Sequence, residues 1–222
     1  MIDLNKIKKT KDCIDKDISD ANACYKLYFD CLNIIRKYKI FYNDFATIFF
    51  YFEEALDTKY ILALAKLFSI STKEEGLLKL AYDIKNFDTD VLALRYEGVG
   101  NIILNTVKKQ RKLFLKNFNR YIKRIKVIEE KINPLRNIQR AHNYPYRGGK
   151  YHVSWAESKR WLKFAEALFV LMLDGICEPC PRAGNFLPEN LDKKIRYFNL
   201  VLYDAYKRRF SRDTKNNSLY AR

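Results

Sequence analysis

Apolar residues recur at Ile14, Ile18, Ala21, Tyr25, Tyr28, Leu32 and Ile35, steps of three and four that lay one stripe along a long amphipathic helix. A second such face starts near Asp44 and carries Phe45, Ile48, Phe49, Phe52, Leu56, Tyr60, Ala63, Leu64, Leu67 and Phe68. It is wide enough to lie between neighbours, and the two helices are expected to pack antiparallel. Thr72 and Glu75 have the spacing of a capping box ahead of a short helix bearing Leu77, Leu78, Ala81 and Ile84. From about Thr89 to Glu130 a further long region keeps Ile102, Ile103, Val107, Phe114, Phe118, Ile122, Ile125 and Ile128 inward, with Gly98 and Gly100 as its break or bend.

Asn133 and Pro134 read as a new helix start, Asn as N-cap and Pro at the first helical position, so that a short helix over about 133–143 is expected. The loop Asn143 to Gly149, with Pro145 and paired glycines, stops it. Ser154 and Glu157 form a second capping box for a helix over 154–175 that bears Leu162, Ala165, Leu168, Phe169 and Met172. A loop from Cys177 to Pro188 leads to a last helix over 189–210, with Leu191, Ile195, Phe198, Leu202 and Ala205 inside and a frayed tail beyond. Alternating strand patterns and internal repeats are absent, and no Pro precedes Pro134. The expectation is an all-α bundle of long antiparallel helices, read as a single domain over 1–222.

Charge adds a direction. With 42 Lys and Arg against 26 Asp and Glu the chain carries +16, which suits a polyanion such as nucleic acid, though basic proteins also meet acidic lipids and acidic protein partners. Lys108, Lys109, Arg111, Lys112, Lys116, Arg120, Lys123, Arg124 and Lys126 crowd one long helix, as a solvated face or as an RNA track. Residues Met1 to Lys11 offer no apolar run for a secretory signal. The most apolar stretches, Phe45 to Phe52 and Phe164 to Cys177, are too short or carry Glu166 and Asp174, so neither makes a membrane span. A cytoplasmic protein is expected. Five scattered cysteines suit reduced thiols; Cys177 and Cys180 have half-site spacing for zinc, but without a second pair they read as a structural loop, and no metal or cofactor is expected.

Candidate chemistry concentrates on one segment. Arg136, Asn137, Arg140 and His142 share the short helix beside a loop that contains Arg147. A forked, permanently charged guanidinium suits phosphoryl oxygens, and an imidazole exchanges protons near neutral pH. RNA carries its own nucleophile, the 2′-hydroxyl, so charge stabilisation and proton transfer suffice for cleavage without metal. On an ideal helix Arg136 and His142 stand about 9 Å apart along the axis and roughly 120° apart around it, so the arginine must swing toward the imidazole. Arg147 and His152 also satisfy an arginine, four spacers, histidine pattern, but glycines between them put that pair in a loop. The bland alternative pairs Arg136 with Glu129 or Glu130, with His142 closing the helix at its negative pole. Most of the 16 Tyr and 15 Phe fall on inner stripes; Tyr144, Tyr146 and Tyr151, beside His142, are placed to stack on a base or close a dimer.

The string Leu135, Arg136, Asn137, four further residues and His142, with Ala141 before the histidine, resembles the signature of the HEPN superfamily. Phe49 to Phe52, Ala55 and Leu56, and the run Ile61 to Phe68 after the long first helix resemble HEPN proteins of the abortive-infection protein U type. The resemblance implies a HEPN-like bundle that dimerises with its motif helices face to face. It also implies an endoribonuclease used as a toxin or antiphage effector, with Arg136 and His142 as the catalytic pair and Asn137 as the polar second position. RNA contacts are then expected from Arg140, Arg147, Lys123, Arg124, Tyr144 and Tyr146, and an antitoxin is an expected partner. Some HEPN proteins only bind RNA or nucleotide, which leaves a non-catalytic binding module as the alternative.

Overall fold

The computed structural model describes residues 4–37, 46–71, 73–87, 101–142, 153–176 and 190–219. Among these the chain forms six helices and no strand: α1 (Leu4–Lys37), α2 (Ala46–Leu67), α3 (Leu77–Lys85), α4 (Asn101–His142), α5 (Trp155–Asp174) and α6 (Leu191–Leu219). An all-α architecture is therefore established. None of these helices is long and apolar enough to cross a membrane.

The fold divides into two compact units, residues 1–22 with 59–187 and residues 23–58 with 188–222. Two of the three boundaries of this division fall inside α1 and α2, where no linker or composition shift marks them. In the first unit α4 packs against α5, and α3 packs against both. Its core gathers Ile7, Ile14 and Ile18 from α1, Leu64 and Leu67 from α2, Leu77 and Ile84 from α3, Phe114 and Ile125 from α4, and Leu162 and Phe169 from α5. Rings lock these faces together: Tyr60 stacks on Trp155 with centroids 5.0 Å apart, and Phe114 and Phe118 meet edge-on at 5.8 Å. The first-unit parts of α1 and α2 run antiparallel, since Asp17 faces Lys66 at 3.8 Å while Asp20 faces Lys59 at 3.0 Å. A buried polar link ties α1 to α5, where Asn22 donates to Glu166 at 2.5 Å and accepts from Lys159 at 3.2 Å.

In the second unit Lys26 bonds Asp30 at 2.7 Å and Asp192 at 3.0 Å, joining α1 to α6, while Tyr25, Tyr28 and Phe29 form a ring cluster. Here the expected inner stripe of α2 departs from the structure. Leu56 is buried, but Ile48 is 62% exposed and Phe52 also meets solvent. On α6, Leu191 and Ile195 are buried, whereas Ala205 is exposed and the helix continues past residue 210 to Leu219.

The largest departure concerns Pro134. It does not open a helix; it lies inside α4, which is continuous for 42 residues. A proline there forfeits the hydrogen bond to the carbonyl four residues back and crowds it. The helix persists because the apolar stripe runs straight past it, with Ile125, Ile128, Ile132 and Leu135 all buried. Asn133, expected as a cap, instead donates its side-chain amide to Glu129 one turn back. Ser154 caps its helix as expected, its hydroxyl accepting from the Glu157 amide at 3.1 Å, while the Glu157 carboxylate accepts from Lys131 at 2.6 Å. The capping box proposed at Thr72 falls partly outside the described residues; Glu75 turns to Thr10 and Lys79, and α3 starts after Gly76 without a side-chain cap. Phe45, Gly98 and Gly100 also lie outside the described residues.

Gly76 sits where α2's end and the approach to α3 nearly touch, so that a Cβ would stand 2.8 Å from the Lys66 carbonyl oxygen and 3.3 Å from that of Leu67. Backbone cannot yield as a flexible side chain would. Gly76→Ala is expected to cost about 1–3 kcal/mol of stability, read as a lower urea midpoint; an unchanged midpoint would show slack in this connection.

Candidate functional site

The helix α4 carries two opposed surfaces. Val107, Phe114, Phe118, Ile122, Ile125 and Ile128 are buried, while Lys108, Lys109, Lys112, Lys116, Arg120, Lys123 and Lys126 are exposed. At 100° per residue those seven cations fall within about 120° of one another and extend for about 27 Å along the axis. Arg111 is different. It is 9% exposed, and its Nη2 donates to the Phe87 carbonyl at 2.7 Å, tying α4 to the end of α3, so this residue of the expected RNA track is structural. Arg124 is exposed and lies over the Phe164 ring at 4.3 Å, which fixes its guanidinium in a cation–π contact.

Arg136 occupies the other side of α4, about 140° around from the centre of the basic ridge on an ideal helix. It is half-buried and lines a cavity of about 570 Å³ in the first unit. The walls come from α1 (Cys13, Lys16, Asp17, Asp20), from α2 (Lys59, Leu62, Ala63, Lys66) and from Glu74 and Glu75 ahead of α3. Both helical walls repeat at steps of three, one and three, the pattern of one face turned toward the space. The alternative pairing of Arg136 with Glu129 or Glu130 is not seen as an ion pair among the described residues. Glu129 lies within electrostatic reach, burial raising its carboxyl above the ordinary range and Arg136 pulling it down, yet Arg136 Nε is shut off from water with no hydrogen-bond acceptor among the described residues.

Across the cavity several of the charges are matched in pairs. Lys66 faces Asp17 and Lys59 faces Asp20. Glu75 accepts from Lys79 at 2.5 Å and from Thr10. Asp17 is 8% exposed, and burial pushes its carboxyl up to about 6 against the opposing pull of Lys66. Such a wall offers donors for an anion beside acceptors for hydroxyl or amino groups. A bare phosphate would meet four carboxylates along with four cations.

Of the other residues singled out from sequence, Asn137 is exposed on α4, next to Arg136 but off the cavity wall. Arg140 and His142 belong to the last turns of α4 by their backbone, and their side chains are outside the described residues. Tyr144, Tyr146, Arg147, Tyr151, His152, Cys177 and Cys180 also lie outside them. Among the described residues no group of three His, Cys, Asp or Glu is placed to hold a metal ion. Sequence reasoning missed Lys16, Asp17, Asp20, Lys59 and Lys66 altogether. Their signal was a charged face of matched spacing on two helices expected to be antiparallel, flanking the apolar stripes rather than forming a motif.

Asp17 yields a pH dependence of definite sign. Its folded-state carboxyl titrates near 6 against 3.8 for the free group, so folding favours the protonated form. Its contribution to stability is full below pH 4 and declines as pH rises through 6. Asp17→Asn is therefore expected to gain stability relative to the parent between pH 4 and pH 7, measured as the difference in melting temperature at each pH; a difference independent of pH would count against it.

No protein-family model, curated protein or solved structure matches this chain.

Proposed function

We propose that this chain is a metal-independent endoribonuclease of the HEPN type, acting as a homodimer in the cytoplasm as a toxin or antiphage effector restrained by an antitoxin. The observation that carries the reading is Arg136: a half-buried guanidinium at a cavity wall, its Nε without an acceptor, on the same unbroken helix as His142. Stabilised charge and a mobile proton are what RNA cleavage by its own hydroxyl demands. A base removes the 2′-hydroxyl proton, and the oxygen attacks the adjacent phosphorus. The bond to the 5′-oxygen breaks, and that oxygen receives a proton. The products are a 2′,3′-cyclic phosphate and a 5′-hydroxyl end. Arg136 stabilises the phosphorane and His142 moves a proton. One imidazole serves one side of an in-line displacement, so a second copy of the helix across a two-fold axis supplies the other. Asn137 assists as the polar neighbour.

The test is direct. Wild-type protein in chelator is expected to cut RNA to cyclic-phosphate ends and to slow growth on expression, with His142→Ala at least about 100-fold slower. Undiminished cleavage by His142→Ala removes the assignment.

The exposed ridge on α4 favours a second reading, a module that binds RNA without cutting it. Its seven cations on one face suit phosphates without regard to base sequence. Changing Lys112, Lys116 and Lys123 to Glu together is expected to weaken RNA binding and lower its salt slope by roughly 2, the share of three single-strand phosphate contacts. An unaltered slope would make the ridge merely a solvated surface.

A further inference from the structure

Two cations on the cavity wall differ from the rest. Lys59 and Lys66 have carboxylates opposite them, and Glu75 is taken by Lys79 and Thr10. Lys16, on α1, and Arg136, on α4, make no hydrogen bond or ion pair with another described residue, although Lys16 lies close enough to Asp17 to hold its carboxyl down. Arg136 lines the cavity with no ion pair or hydrogen bond among the described residues, so its guanidinium has donors to spare, which makes an occupant of the cavity a natural acceptor. The occupant must suit the carboxylates too. Glu74 makes no side-chain hydrogen bond within the described residues, and Asp20 keeps acceptor capacity beyond its contact with Lys59. A ligand with a phosphate at one end and hydroxyl or amino donors at the other satisfies both walls, whereas an inorganic anion satisfies one.

We propose that the cavity receives one ribonucleotide unit of RNA, its phosphate clamped between Lys16 and Arg136 and its ribose hydroxyls turned to the Asp20 and Glu74 carboxylates, so that Lys16 is a phosphate-positioning residue of the site. The choice of RNA rests on the ribonuclease reading; the clamp itself rests on the cavity. Two cations from separate helices fix a phosphate in two directions, which a single arginine does not. Lys16 is solvent-edged, so replacing it leaves the core intact.

The experiment titrates uridine 3′-monophosphate, and separately inorganic phosphate, into the full chain by calorimetry, and follows RNA cleavage in chelator in parallel. Uridine 3′-monophosphate is expected to bind more tightly than inorganic phosphate. Lys16→Gln is expected to weaken it roughly tenfold or more, Lys16→Arg to restore most of the loss, and Lys8→Gln, an exposed change on the same helix, to leave it unaltered. For cleavage, Lys16→Gln should raise KM more than it lowers kcat. An absence of nucleotide binding, or equal binding by Lys16→Gln, overturns the clamp. If the wild type cuts RNA and Lys16→Gln cuts it with the same KM, the clamp fails while the nuclease reading stands. If Lys16-dependent binding is found in a chain that cuts no RNA, the clamp stands and the nuclease reading falls.

Discussion

The unbroken apolar stripe of α4 is the constraint from which the rest follows. From Val107 to Leu135 its buried residues recur at helical spacing, and they bind α4 to α5 and α3 in one core. Burial of large side chains contributes roughly 1.5–3 kcal/mol each, enough for a few consecutive anchors to outweigh one proline within the helix. Because the helix holds its phase, everything on it has a fixed bearing: cations outward, Arg111 inward to the Phe87 carbonyl, Arg136 toward the charged cavity. The same rigidity separates the ridge from the arginine by more than a third of a turn, so the two surfaces face different ways.

The cavity depends on a second arrangement, the antiparallel crossing of α1 and α2 within the first unit. Reversed chain directions bring Asp17 to Lys66 and Asp20 to Lys59, and this alternation makes the wall nearly neutral in sum while strongly charged at each point. Ion pairs of this kind add little to stability when solvated. On the cavity wall they set donors beside acceptors along its length. Asp17, the deepest of the carboxylates, is the one that burial brings closest to neutral pH.

Helical periodicity made most of the bundle readable from the chain alone. The stripes around Ile14 and Ile18, around Phe114 and Ile125, and around Leu162 and Phe169 are buried as expected, and Ser154 caps where its spacing indicates. Local signals failed where tertiary packing opposed them. Asn133 and Pro134 look like a helix start, yet Ile132 and Leu135 on either side keep the turn in register with the core. Ile48 and Phe52 have an inner-face period but face solvent, since a pattern shows which side of a helix is apolar and not whether something covers it. Arg136 was legible as a candidate because of its motif. Lys16 and Lys66 were not, because a charged face becomes a site only when another helix is set opposite it.

Pro134 also shapes the end of α4. By lacking an N–H it deletes one rung of the backbone ladder, leaving the Glu130 carbonyl without its usual helical donor just before the turns that carry Arg136, Asn137 and His142. Leu135, buried beside the missing rung, ties that turn to the core. Side-chain burial thus stands in for backbone bonding at the proline, so the hold on the turn that bears Arg136 is apolar rather than hydrogen-bonded at that point.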